Sequence, residues 1–149
     1  MVLLSLSLLA CGFHLRGSLS SSSQAKVYLH ASGVESDLKQ DLQQYLLSQN
    51  RLVESTEQSQ IQLLLKSDQW QKRIVSLDEN GVASEYSLQY QLIYDLITAE
   101  KRLFNQSLKL QEDYAFDSAQ LLSVDAQERE TKTLIKKQVA QRLLRLLDI

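Results

Sequence analysis

The chain has 149 residues, 44% of them hydrophobic and 23% charged, which is enough for one globular core and too little for two. Sixteen basic against eighteen acidic residues leave a net charge of −2, so bulk electrostatic capture of nucleic acid is excluded as a function. One cysteine and two histidines exclude a disulfide framework and a Cys-rich or His-rich metal centre. The absence of proline and the presence of only four glycines disfavour long disordered linkers and Gly-rich phosphate cradles. No cofactor is expected.

Val2 to Ala10 reads VLLSLSLLA, uncharged and apolar. It is too short to span a bilayer, which takes roughly 20 helical residues, but it has the length of a signal-peptide h-region. The following Leu8-Leu9-Ala10-Cys11 resembles a bacterial lipobox. The resemblance implies that residues 1–10 are the end of a truncated signal peptide, cleaved before Cys11, and that the Cys11 thiol and the new amine carry acyl chains. The chemistry needs a thiolate nucleophile and a small residue at the cut. Burial of acyl chains contributes about 0.8 kcal/mol per CH₂, so three chains would hold permanently where one is marginal. Gly12, rather than an aspartate, follows the cysteine, which favours the outer membrane. Residues 11–149 are then expected to form one domain.

A Ser-rich stretch, residues 18–24, reads as a short tether. Lys26 to His30 is β-prone. Ser32-Gly33-Val34-Glu35 has the spacing of a capping box, and Val34, Leu38, Leu42, Tyr45 and Leu46 recur at helical spacing up to Asn50. Arg51 to Glu54 offers a short extended piece. From Val82 to Ile97 the even positions are Val82, Ser84, Tyr86, Leu88, Tyr90, Leu92, Tyr94 and Leu96, a period-two pattern that predicts a long strand with one buried face. Asn80-Gly81 before it predicts a type I′ hairpin, with Ile61 to Leu77 as the partner strand. The simplest register puts Gln69, Gln71 and Arg73 on the core face, so a bulge near Trp70 is expected.

Phe104, Leu108, Leu110, Tyr114 and Phe116 share one parity and predict a further strand. Asp125 and Glu128 are expected to cap a last helix with Ile135, Val139, Leu143 and Leu146 along its stripe. The order is β-α-β-β-β-α. It predicts an α+β fold, with two amphipathic helices packed on one face of a mostly antiparallel four-stranded sheet. Sixteen strand residues extend about 50 Å against about 24 Å for the first helix, so the hairpin should overhang its cover.

The sequence resembles the LptE family of LPS-assembly lipoproteins. The resemblance rests on Cys11-Gly12-Phe13-His14-Leu15-Arg16, on Asn80-Gly81 followed by Ser84-Glu85-Tyr86, and on the closing helix. It implies a lipid-anchored protein on the periplasmic side of the outer membrane. Its partner would be the β-barrel LptD, whose lumen it plugs while lipopolysaccharide is placed in the outer leaflet. Family lipid binding involves basic residues near the middle hairpin, which here points to Lys72, Arg73 and Lys109, since phosphates call for Lys or Arg. The hairpin tip itself, Asp78-Glu79, is acidic. Lys136, Lys137, Arg142 and Arg145 form a second basic group on the last helix, where the helix dipole favours cations.

An enzyme would need a nucleophile, a base and an oxyanion site. Cys11 is consumed by lipid, and neither a G-x-S-x-G nor an H-E-x-x-H motif occurs. The alternative to the LptE reading is a periplasmic accessory lipoprotein of another envelope transport system. The lipobox makes a direct prediction. Mass spectrometry of membrane-extracted protein from the native host should show residue 11 as a modified N-terminus, whereas an unmodified chain that keeps residues 1–10 would remove the anchor.

Overall fold

The computed structural model describes residues 25–115 and 121–148. Cys11, the apolar run before it and Phe116 lie outside them. Chain order is β1 (Val27–Ala31), α1 (Ser36–Ser48), β2 (Leu52–Val53), a 3₁₀ turn (Thr56–Gln58), β3 (Ile61–Leu77), β4 (Ala83–Thr98), β5 (Arg102–Ala115) and α2 (Leu121–Leu146). The strands form one sheet in the order β2-β1-β3-β4-β5.

The expected α+β layering holds, but the sheet has five strands and is mixed. The helix α1 carries the chain back to the starting end of the sheet, so β1 runs parallel to β2 and to β3. The short extended piece at Leu52–Val53 supplies the extra strand. Only β3-β4-β5 is antiparallel.

The apolar stripes of both helices meet one face of this sheet. Leu38, Leu42 and Leu46 of α1, and Ile135, Val139 and Leu143 of α2 with Leu147 just beyond it, are fully buried. They pack with Val27, Leu63, Leu65, Leu88, Tyr90 and Leu92. The even face of β4 is therefore the core floor from Leu88 to Leu96, whereas Val82 at the tip is exposed.

Two irregularities fix which residues share that face. The β3-β4 register shifts between Leu65 and Ser67, so Lys66 is the bulged residue. This bulge lies four residues before the expected site, and it moves Gln69, Gln71 and Arg73 off the core face and brings Asp68, Trp70 and Lys72 onto it. On β5 the register shifts opposite Tyr94–Leu96, where Asn105 takes a left-handed φ of 52°. Phe104 is consequently exposed, and Leu103 rather than Phe104 pairs with Leu96.

Asp95 joins both bulges. One of its oxygens accepts the Asn105 backbone N–H (2.7 Å) and the other meets Lys66 Nζ (3.1 Å), which also donates to Asn105 Oδ1 (2.8 Å). Burial alone would raise the Asp95 carboxyl, but these partners outweigh it and hold the group below its ordinary value. Gly33 lies against the same bulge. At φ +69° a Cβ there would stand 2.8 Å from the Lys66 carbonyl oxygen, so only glycine fits.

Local turn chemistry also departs from the simplest reading. Helix α1 starts at Ser36 with no side-chain cap, so the Ser32–Glu35 capping box does not form. Glu35 instead donates its N–H to Asp68 Oδ2 (3.0 Å). At the other end, Asn50 at φ 53° closes the helix, with Arg51 N–H to Leu46 O (2.8 Å) and Asn50 N–H to Leu47 O (2.9 Å), a Schellman arrangement. In the hairpin only Gly81 has positive φ, whereas a type I′ turn requires it at both central residues. Asp78 Oδ1 accepts the N–H groups of Asn80 and Val82, and this side-chain bracket shapes a three-residue loop. Helix α2 begins at Leu121, so Asp125 and Glu128 lie inside it rather than at its cap.

Arg51 is 3% exposed and ties the base of the fold together. It donates to Ala25 O (3.1 Å), Leu147 O (2.6 Å) and Asp148 Oδ1 (2.8 Å). The parity of β4 predicts the mutational pattern. Leu88→Ala or Leu92→Ala should cost about 2–5 kcal/mol in denaturant melts, while Gln89→Ala on the opposite face should cost well under about 1 kcal/mol.

Candidate functional site

Consecutive residues of a strand point to opposite faces, and this separates the three cations that the sequence singles out. Lys72 lies on the helix side of the hairpin. Its ammonium sits 4.2 Å from the Tyr86 ring centroid and 5.6 Å from that of Tyr114, and it donates to Glu128 Oε2 on α2 (2.6 Å). Tyr114 also donates to that oxygen (3.1 Å), and Lys132 pairs with Glu128 Oε1 (2.9 Å). The two lysines hold the Glu128 carboxyl down at about 2. Burial works against the Lys72 charge, but Glu128 and Tyr114 prevail and push it up to about 12.

The ionic row continues toward α1. Trp70 tilts against Tyr90 with centroids 4.6 Å apart, and donates Nε1–H to Glu35 Oε1 (2.9 Å). Lys136 pairs with Glu35 and Asp37 and, like Lys132, lies within about 6 Å of the Trp70 ring. Tyr90 donates to Asp68 (2.6 Å), and its own ionisation is pushed up by burial and by that carboxylate. This half of the helix–sheet interface thus adds cations, carboxylates and aromatic rings to its aliphatic side chains. The sequence reading missed Glu128 as the shared partner of Lys72 and Lys132. Helical spacing of Glu128 and Lys132, four apart, was the available signal.

Arg73 and Lys109 lie on the other face, which no helix covers among the described residues. Around them runs an amide surface. Gln69 donates to Gln91 (3.3 Å), Gln91 to Ser107 Oγ (3.1 Å), Arg73 to Gln89 (3.4 Å) and Gln111 to Asp113 (3.4 Å). Lys109 stands opposite Gln91, and Arg73 opposite Ser87, so the two cations are on different strands and four residues apart along β4. Beyond them the hairpin end overhangs the core, with Ile74, Val75 and Leu77 each more than half exposed.

The described residues hold no cluster of three or more His, Cys, Asp or Glu suited to a metal ion, and no described helix is long and apolar enough to cross a membrane. His30 stacks on Tyr28 at 6.4 Å on the outer face, with no nucleophile beside it in the contacts described. A groove of about 260 Å³ between the helices, lined by Tyr45, Gln141, Leu144, Arg145 and Asp148, is small and open. What the described residues offer is a polar sheet face of amides with two exposed cations.

A family model described as LptE: Lipopolysaccharide-assembly matches residues 19–147. The chain belongs to the LptE family. LptE-family proteins are non-enzymatic LPS-assembly lipoproteins. The matched range starts after the CGFHLRG opening, so the match is carried by the body of the domain.

Solved structures agree in fold. The solution NMR structure of an uncharacterized lipoprotein B from Nitrosomonas europaea is 28% identical, with a TM-score of 0.73 over 92% of this chain and 90% of that one. The crystal structure of the rare lipoprotein B from Shewanella oneidensis is 23% identical, with a TM-score of 0.68 over 82% and 92%. A minor lipoprotein from Acinetobacter baumannii is 16% identical, with a TM-score of 0.64 over 84% and 91%. No curated protein matches the chain.

The Glu128 cluster sets a pH dependence. Its carboxyl falls from an ordinary 4.5 to about 2 in the folded chain. The stability this contributes is fully present above pH 4.5 and is lost as pH falls toward about 2. Urea midpoints should therefore drop across that window, and Glu128→Gln should lower the midpoint at neutral pH and flatten the drop.

Proposed function

We propose that this LptE-family chain is held on the periplasmic side of the outer membrane by acylated Cys11 and plugs the lumen of the β-barrel LptD, assisting the placement of lipopolysaccharide in the outer leaflet. The observation that carries this reading is the polar sheet face. A barrel lumen is itself polar, and a plug for it needs a broad hydrogen-bonding surface without large net charge. Gln69, Gln71, Gln89, Gln91 and Gln111 supply that surface across three strands.

Within this reading Arg73 and Lys109 are the cations available to a lipid phosphate, since both lie on the open face. Lys72 is engaged by Glu128 and serves to fasten α2 to the hairpin. The turn at Asp78 and Glu79 is acidic and would repel an anionic ligand.

Two measurements test the proposal. Purification of the native chain in mild detergent should bring down LptD. Capture of the barrel or pump of another transport system would replace this reading with the accessory-lipoprotein one. Arg73→Asp combined with Lys109→Asp should weaken lipopolysaccharide binding by more than about fivefold, because charge-assisted bonds give way to repulsion, while barrel capture persists. Unchanged lipid binding with lost barrel capture would make the pair a docking contact instead.

A further inference from the structure

We propose that β5 pairs with β5 of a second copy of this chain, antiparallel and centred on Gln111. The inference does not rest on the plug reading, and it starts from an unpaired edge. In the sheet order β2-β1-β3-β4-β5, the two edges are unequal. At one, β2 has only two residues, too short to template a partner. At the other, β5 has fourteen residues, hydrogen-bonded to β4 on one side and to no strand on the other among the described residues. A long open edge of this kind pairs readily with another strand unless something blocks it.

The charge pattern of β5 says which strand it fits. Lys109 and Asp113 lie on the same face, two residues either side of Gln111, and both are exposed. Neither has an ion pair among the described residues; Asp113 accepts only the weak Gln111 amide contact at 3.4 Å. In an antiparallel pair of identical strands centred on Gln111, Lys109 of each copy stands directly opposite the partner subunit's Asp113. Two equivalent salt links then flank a Gln111–Gln111 amide pair. A shift of the centre by one residue in either direction loses both links. Cation, amide and anion at this spacing thus form a self-complementary sequence, which is what an interface with two-fold symmetry requires.

The rest of the strand is compatible. On the same face Ser107 meets Ala115, both small. On the helix face Leu108 meets Tyr114 and Leu110 meets Glu112, whose carboxylate already accepts from Gln138 of its own chain. The paired stretch, Ser107–Ala115, ends just after the Asn105 bulge, so it occupies the regular part of the edge and stops where the left-handed residue turns the strand aside. Pairing also continues the amide row, since Gln71, Gln89 and Gln111 lie abreast on three strands and would run through the seam into the second copy. Above the sheet, Gln138 of α2 reaches Glu112 on β5, and Leu134, one helical turn before it, is exposed on the same flank. It would meet its counterpart across the two-fold axis.

The test is charge exchange, read by sedimentation of the full-length chain in mild detergent without lipid. The chain should show a concentration-dependent dimer below about 100 µM, the range of modest strand-pairing interfaces. Lys109→Glu and Asp113→Lys should each weaken the dimer about tenfold, because two attractive pairs become two repulsive ones. The double variant should return to within about twofold of the parent, since it restores both links with the signs exchanged. Positions 109 and 113 are about 13 Å apart along one strand, so no contact within a single chain explains such a rescue. Unchanged thermal melts of the three variants would show that they fold. A chain that stays monomeric throughout the range, a dimer indifferent to the single exchanges, or a double variant without rescue would each overturn the proposal. Lys109 is also one of the cations assigned to lipid phosphate, so the test is read without lipid, and Asp113→Lys, which leaves Lys109 in place, separates failure of the dimer from failure of lipid binding.

Discussion

A single buried carboxylate sets the register of the long sheet. Asp95 stands where β3 and β5 each carry an extra residue, and it satisfies groups from both bulges at once: the Lys66 ammonium on one side and the Asn105 backbone on the other. Removal of Asp95 would leave a backbone N–H without its acceptor and a lysine without its anion, at a site 5% exposed. The bulge at Lys66 decides the parity of β3 from Ser67 to Ile74, where the register shifts again. Without the extra residue, Gln69, Gln71 and Arg73 would turn inward and Trp70 and Lys72 outward, and neither the ionic-aromatic row nor the amide surface would exist.

The two halves of the helix–sheet interface rest on different physics. Near β1 the contacts are Leu, Ile and Val side chains, buried without polar atoms, and the gain is burial of apolar area. Along the hairpin half the same helix, α2, is held by Glu128 between two lysines and by lysines over aromatic rings. Partly exposed ion pairs contribute little each, so this half depends on the combination of charge, ring and packing rather than on any one pair. Glu128 makes this half sensitive to pH and salt, and at the other end of the sheet the Asp95–Lys66 and Arg51–Asp148 pairs add their own ionic contacts to the aliphatic packing.

Much of the fold was legible because its signals are periodic. The alternation from Val82 to Leu96 and the helical stripes of Leu38, Leu42 and Leu46 and of Ile135, Val139 and Leu143 each require only a count along the chain. What could not be read depends on residues distant in sequence. The bulge was foreseen, because an unbroken register would have buried glutamines, but its position at Lys66 is fixed by Asp95 and Asn105, 29 and 39 residues away. The parallel placement of β1 follows from how α1 crosses the sheet, and the two residues of β2 carry too little pattern to count as a strand. The candidate site shows the same limit. Lys72 and Arg73 are adjacent in sequence and read as one basic group, yet they serve opposite faces. Only Glu128 and Gln89, one brought over by a helix and the other by a neighbouring strand, tell them apart.

The Arg51 cluster at the base of the fold has a mechanical consequence. Ala25, where the described chain enters the domain, is bonded to the same guanidinium that holds the last turn of α2. From there the chain runs directly into β1, which lies between two parallel neighbours, β2 and β3. A pull on the chain ahead of Ala25 therefore loads the ladder of β1 lengthwise, in shear, with its bonds resisting together rather than opening one at a time as in peeling. The hairpin tip lies at the far end of β3 and β4, outside that line of force. Tension on the entering chain is borne at the base, and the overhanging end is left undistorted.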